Sequence, residues 1–243
     1  FLAGPANKQG RICANNIVNN NSSTYNGAIN TAIVKLFDLT VGTTGMAAKH
    51  LKGAAIPHLV STTRSSSHAS YYPNAKQLTI QITFSPDTQQ LLGAQVIGEE
   101  GADKRLDILA TLIKNKGTIY DLMEVEHAYA PPYSSAKDPV NMAGFVADNI
   151  INKTLRVEQW DIFETKFRQT PNAILIDVRN PDEFAGGAIE GAINIPIDTL
   201  RSKISELQKD APIFVYCAIG LRGYLAQRIL LQNGFTQVSN LSG

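Results

Sequence analysis

The chain has 243 residues, 44% of them hydrophobic and 18% charged. That balance predicts a folded protein of two domains rather than a disordered chain. Lys and Arg number 22 against 21 Asp and Glu, so no basic surface for nucleic acid or an anionic membrane is expected. No apolar run approaches the ~18–20 residues of a membrane-crossing helix, and the start lacks signal-peptide architecture. The two cysteines, Cys13 and Cys217, are far apart and form no CxxC pair. This excludes a disulfide scaffold and a cysteine zinc site, and fits a reducing, cytoplasmic setting.

In chain order, residues 6–19 suit a helix, entered through Gly4-Pro5, and NNNSSTYNG is a turn-rich connector. Strand-like stretches follow at 31–39, 56–64, 78–85 and 91–98, with a short helical GMAAKHLKG between the first two. In QLTIQITFS the apolar residues Leu78, Ile80, Ile82 and Phe84 alternate with polar ones, the period of a half-buried strand. The turn SPDTQQ then predicts an antiparallel hairpin with 91–98. A helix is predicted over 102–116, with Leu106, Leu109, Ala110 and Ile113 at helical spacing and Gly117 as its end. APPYSSAKDP is irregular, and Pro139 opens a last helix over 139–152.

After a linker near 152–158 the pattern changes. AILIDV and PIFVYC are short, continuous apolar runs, as in strands covered on both faces. Helices with Ile197, Leu200, Ile204 and Leu207, and then with Leu225, Ile229 and Leu230, alternate with them. Strand–helix alternation predicts a parallel sheet with right-handed crossovers. The fold class is therefore an α+β region with an antiparallel sheet followed by an α/β domain with a parallel sheet. Boundaries are placed at 1–26 (terminal helix and connector), 27–152 and 153–243. The opening on Phe1 and the strand-like TQVSNLSG at the end predict the C-terminal part of a longer protein.

The strongest chemical signal is VYCAIGLRGYLAQRIL. A strand ends at Cys217, the tight loop Ala218, Ile219, Gly220 and Leu221 follows, and Arg222-Gly223 opens a helix. Loop amides, the positive end of a helix and a nearby guanidinium would together favour a thiolate over a thiol. The same nest of N–H groups suits an anion or a persulfide. A buried structural cysteine at a strand end is the plainer alternative. The other residues offer less. His50, His58 and His68 lack metal-ligand spacing, so no metal is expected; His127 reads as a surface or interface residue and Cys13 as a packing residue.

IDVRNPDEFAGGAIEGAINIPI followed by VYCAIGLRG resembles a rhodanese domain over nearly all of 155–243. The resemblance implies that Cys217 carries the transferred sulfur and that Arg222 and the loop amides, including that of Gly223, bind its anionic partners. Four residues separate Cys217 from Arg222, one fewer than in related dual-specificity phosphatases, which favours sulfur over phosphate. Asp177 and Arg179 are expected to order the strand end rather than to act chemically.

Residues 1–150 are similar to the C-terminal part of flavin-dependent pyridine nucleotide–disulfide oxidoreductases, in the coenzyme A disulfide reductase, persulfide reductase and NADH oxidase branch. LAGPANKQGR, LGAQVIGEEGADKRLDILA and AYAPPYSSAKDPVNMAGFVA carry the likeness. It implies a homodimer using FAD and NAD(P)H, with most of both cofactor sites outside this chain, and with coenzyme A thiol, persulfide or polysulfide substrates. Ala6 and Asn7 would lie nearest the flavin. Tyr71 in HASYYP and Tyr129 in AYAPPY would reach the partner subunit's thiol site. Two alternatives remain open at this point: a dimerisation and interaction module without turnover, or part of an oxygen-reducing NADH oxidase.

Overall fold

The computed structural model describes residues 3–242. It opens on helix α1 (Ala3–Val18), which buries none of its residues. Cys13 on α1 is exposed, so the expected packing role within this chain is corrected.

The first sheet contains β1 (Ala32–Leu36), β2 (Leu39–Gly45), β3 (Leu59–Ser66), β4 (Gln77–Phe84) and β5 (Leu91–Gly98), with α2 (Ala48–Gly53) between β2 and β3. Its order is β1-β2-β5-β4-β3, and every pairing is antiparallel. The single strand expected over 31–39 is in fact a hairpin. Phe37 adopts a left-handed φ of 53°, the chain reverses there, and the Gly- and Thr-rich β2, which lacks an apolar alternation, returns beside β1.

The hairpin of β4 and β5 forms in the expected register, Ile80 opposite Val96 and Ile82 opposite Ala94. The alternation of β4 does what its period dictates: Leu78, Ile80, Ile82 and Phe84 are fully buried. They pack against α3 (Ala102–Lys114), α4 (Ile119–Glu124) and α5 (Pro139–Ile151) in one core with Leu106, Leu109, Leu122 and Val140. Lys116, at φ 59°, takes the left-handed position after α3, and the N–H of Gly117 donates to Leu112 O at 2.8 Å. The left-handed residue at the helix end is thus the one before the expected glycine.

The second sheet has the order β6-β10-β9-β7-β8 and is wholly parallel. In chain order it comprises β6 (Val157–Glu158), α6 (Trp160–Gln169), β7 (Ile174–Asp177), α7 (Pro181–Ala185), β8 (Ile193–Asn194), α8 (Ile197–Lys203), β9 (Ile213–Tyr216), α9 (Leu221–Gln232) and β10 (Val238–Leu241). The continuous apolar run of β9 is explained by two cores. Ile213 and Val215 pack with Leu200, Ala226 and Leu230 on one face. Phe214 and Tyr216 pack with Phe163 and Leu241 on the other.

Part of the expected linker is ordered as β6, which pairs with β10. Gln227 clamps the adjoining chain, accepting from Arg156 N at 3.1 Å and donating to Arg156 O at 2.9 Å. Leu225, expected to line the inner face of α9, is 44% exposed; Ala226, Ile229 and Leu230 provide that face instead.

Candidate sulfur site

Strand β9 is buried along its whole length and delivers Cys217, 8% exposed, to its C-terminal end. Parallel strands bring loops to this edge of a sheet, where ligands bind in folds of this kind. Gly220, at φ 95°, turns the chain sharply from strand to helix in a conformation that side chains disfavour. The result is a ring of donors: Sγ of Cys217 accepts from Gly220 N at 3.2 Å and from Gly223 N at 3.4 Å. Gly223 is required for a second reason. A Cβ there would lie 2.0 Å from Asn240 Oδ1, so any larger residue would have to displace the Asn240 side chain.

The side chain of Arg222 does something the sequence did not suggest. Its guanidinium donates to both carboxylate oxygens of Glu183, at 2.6 and 2.7 Å, a bidentate fork. Glu183 is itself fixed at the first turn of α7, where its carboxylate accepts from Asn180 N at 3.0 Å in a capping box. The Arg222 bonds and then that amide hold the Glu183 carboxyl down at about 2, and Glu183 raises Arg222. Arg222, expected to help bind an anionic partner, is engaged with Glu183 here and is raised further by Cys217. The clue available in sequence was Asn180-Pro181-Asp182-Glu183, a helix-start signature that reads as local capping.

The remaining loop residues form the mouth. Ala218, Ile219 and Leu221 are exposed, the last two at 44% and 59%. Arg64, from β3, donates to Ala218 O at 3.4 Å. Below the loop, Arg179 is bound to Asp177 at 2.6 Å and to Gly187 O at 2.7 Å. Asn194 donates to the carbonyls of Asp177 and Arg179. Burial pushes the Asp177 carboxyl up, but the Arg179 hydrogen bonds outweigh it and leave the group below its usual range. These residues order the neighbouring loop, the part expected of them.

A second cluster lies on the first sheet's side. Tyr71 and Tyr129 are 77% and 49% exposed, and they are adjacent: the neighbouring Tyr71 hydroxyl raises the Tyr129 phenol above its ordinary value. The two segments that carry them are tied by Ala69 N donating to Ser134 O at 2.9 Å. They are tied again by Arg105, 1% exposed. Its guanidinium donates to Ser67 O at 2.8 Å and to Asp138 at 2.7 Å. Burial pushes Asp138 up, yet Arg105, Ser134 and the Val140 amide hold it below the normal carboxylate range. Arg105 was hidden in sequence because it sits on an apparently ordinary amphipathic helix.

His127 belongs to this network, which corrects its expected surface position. Its side chain is 5% exposed, with Nε2 3.8 Å from Asp138 Oδ1. Burial lowers its proton affinity, against the opposing pull of Asp138. Ala6 and Asn7 stand apart on α1, Ala6 exposed and the Asn7 amide donating to Ala3 O at 2.8 Å. Among the described residues no cluster of three or more His, Cys, Asp or Glu could hold a metal ion, and no helix is long and apolar enough to cross a membrane.

Comparison with known proteins agrees with the geometry. The crystal structure of reduced Bacillus anthracis CoADR-RHD is 45% identical and superposes with a TM-score of 0.94, over 100% of this chain and 43% of that one. An NAD-dependent persulfide reductase from A. fulgidus is 35% identical with a TM-score of 0.87, over 98% of this chain and 42% of that one. The coenzyme A disulfide reductase of Staphylococcus epidermidis is 36% identical over 146 residues, 60% of this chain. The chain spans about a third of that relative's length (33%). Residues 31–139 match the dimerisation domain of pyridine nucleotide-disulphide oxidoreductases, and residues 161–243 match the rhodanese-like domain. Region by region, the chain thus carries a pyridine nucleotide-disulphide oxidoreductase dimerisation domain followed by a rhodanese-like domain.

Proposed function

We propose that this chain is the dimerising and sulfur-handling part of a homodimeric, cytoplasmic, FAD-dependent NAD(P)H reductase acting on coenzyme A disulfides, persulfides or polysulfides. In this reading Cys217 carries sulfane sulfur as a persulfide. The observation that carries it is the pair of amides, Gly220 N and Gly223 N, directed at Cys217 Sγ. Such donors stabilise negative charge on sulfur when it attacks and when it leaves. In this reading the same amides also hold the outer sulfur of the persulfide.

The loading step is a simple displacement. The Cys217 thiolate attacks the outer sulfur of a donor such as thiosulfate, the donor's S–S bond breaks, and sulfite leaves with the electron pair. Discharge is the reverse kind of step: a nucleophile takes the outer sulfur and Cys217 leaves as thiolate. Neither step changes the number of electrons overall. In the whole enzyme, FAD and NAD(P)H would supply the two electrons that convert sulfane sulfur to sulfide or a disulfide to thiols. Tyr71 and Tyr129 are proposed to serve the partner subunit's thiol site as hydrogen-bond donors, and Ala6 and Asn7 to border the flavin.

The test is thiosulfate-to-cyanide sulfur transfer by this chain. Thiocyanate should form with the wild type and fall at least about a hundredfold in Cys217→Ser. A wild type as inactive as Cys217→Ser would overturn sulfur carriage at this loop. The alternative of an interaction module draws on one observation, the exposed apolar mouth of Ile219, Leu221 and Leu225, and it predicts that second result.

A further inference from the structure

Strand β10 carries a polar residue where its period calls for an apolar one. Val238 packs with Ile213, Val215 and Cys217 on the side of α9, in one core with Ala226 and Leu230. Leu241 joins Phe214 and Tyr216 on the opposite face. Asn240, two residues after Val238, therefore falls on the α9 face, where it is 3% exposed. Its register partner on β9 is Val215, just short of Cys217. Asparagine is disfavoured in strands and costly to bury, so its place in an apolar row needs a reason.

The reason lies in what Asn240 touches. Its Nδ2 donates to Gly220 O at 3.4 Å. Its Oδ1 lies so close to Gly223 that a Cβ there would stand 2.0 Å from it. Gly220 and Gly223 are the two residues whose N–H groups point at Cys217 Sγ, so one side chain touches both donors. Gly220, at φ 95°, has open space where a Cβ would be. A residue of this kind has many backbone conformations to choose from, and the bond from Asn240 selects one. Asn240 is itself anchored, its backbone N donating to Arg156 O at 2.8 Å. Its Oδ1 has no hydrogen-bond donor, a cost to stability that a leucine of the same shape would not carry.

We propose that Asn240 is a positioning residue for sulfur transfer, fixing Gly220 and Gly223 so that both N–H groups are aimed at Cys217 Sγ before a substrate arrives. This rests on the reading of Cys217 as sulfur carrier. Donors set in advance stabilise charge on sulfur without reorganising during the reaction. In loading, the Cys217 thiolate takes the outer sulfur of thiosulfate and sulfite leaves with the electron pair. In discharge, cyanide takes that sulfur and Cys217 departs as thiolate, so the same two amides serve both steps. A neutral amide suits the task, because a carboxylate at this position would oppose ionisation of the thiol.

The experiment compares Asn240→Leu, which keeps the shape and removes the hydrogen bond, with wild type. Both are made in a Cys13→Ser background, so that Cys217 is the thiol alkylated. In thiosulfate-to-cyanide transfer, kcat/KM for thiosulfate should fall at least about tenfold in Asn240→Leu. The pH profile of Cys217 alkylation by iodoacetamide should move to higher pH. Arg222 with Glu183, and Arg64 at Ala218 O, are the charged groups around the loop and are the same in every variant, so the movement reports the amides. The denaturant midpoint of Asn240→Leu should not fall, since the unpaired oxygen is gone. Asn240→Ser, shorter and without the amide, is read in the same two assays and decides the matter where Asn240→Leu does not fold. If wild type transfers sulfur while the folded variant keeps the wild-type kcat/KM and alkylation profile, the positioning role is overturned and the carrier reading stands. If wild type transfers no more than Cys217→Ser, the carrier reading fails and the role of Asn240 in transfer falls with it.

Discussion

Arg222 and Glu183 are joined by two hydrogen bonds of 2.6 and 2.7 Å across the mouth of the cysteine loop. One residue opens the helix after the loop and the other sits in the first turn of a helix 39 positions earlier. The pair therefore fastens the loop to α7, which follows the neighbouring strand β7. Arg222 also interacts with Cys217, so its cation stands beside the loop's amides at the sulfur.

Removing the acid should release that cation. In Glu183→Gln the guanidinium is free to meet a dianionic donor, and KM for thiosulfate should fall by up to about fivefold, as for a partly exposed charge pair. In Arg222→Gln it should not fall. Steady-state kinetics at low and high salt check this, because the gain should shrink as salt rises.

The pair should also resist acid. Glu183 is held at about 2 against an ordinary value of 4.5, so the folded state binds its proton less readily than the unfolded chain. The pair's contribution is complete above pH 4.5 and is lost as pH falls toward 2. Denaturant midpoints of wild type and Glu183→Gln should converge over that window and differ most above it.

Arg105 is the costliest residue to remove from the first sheet's side. Arg105→Ala would leave Asp138, fully buried, without its counter-charge and Ser67 O without its donor. A loss of about 3–5 kcal/mol is expected, measured by chemical denaturation. Because the two tyrosine segments are fastened through this guanidinium, the variant should also abolish the elevation of the Tyr129 phenol in an ultraviolet pH titration. Tyr71→Phe should abolish it without a comparable loss of stability.

His127 should make stability sensitive to mild acid. Burial holds its proton affinity below the ordinary 6.5, so the unfolded chain takes up a proton there before the folded chain does. Stability should decline as pH drops below 6.5 and stop declining once the folded histidine also titrates. His127→Gln should flatten this segment of the pH–stability curve, read as thermal midpoints between pH 7 and 5.

Gly223→Ala tests the closeness of the loop to the last strand. The added methyl would stand 2.0 Å from Asn240 Oδ1, and relief requires the Asn240 side chain or its strand to shift. An overpacking cost of about 1–3 kcal/mol is expected. Sulfur transfer should suffer more than stability, because the displaced N–H is one of the two on Sγ.

Much of this molecule is written in local pattern. The alternation in β4, the unbroken apolar run of β9 and the glycine-spaced cysteine loop each specify their element, because side-chain period and backbone freedom are properties of neighbouring residues. From these the sequence alone determined an antiparallel α+β region, a parallel α/β domain, and the position of Cys217 between a strand and a helix. Only the tertiary structure decided what the charged groups do. Glu183 meets Arg222, Arg105 meets Asp138, and Arg64 reaches Ala218 across 154 positions of chain. Such pairings depend on which elements the fold lays side by side, and no residue's neighbours in sequence record them. The same holds for the buried His127, the exposed Cys13 and the buried Asn240 beside the loop, since burial is a property of the assembled layers and not of the segment that carries the residue.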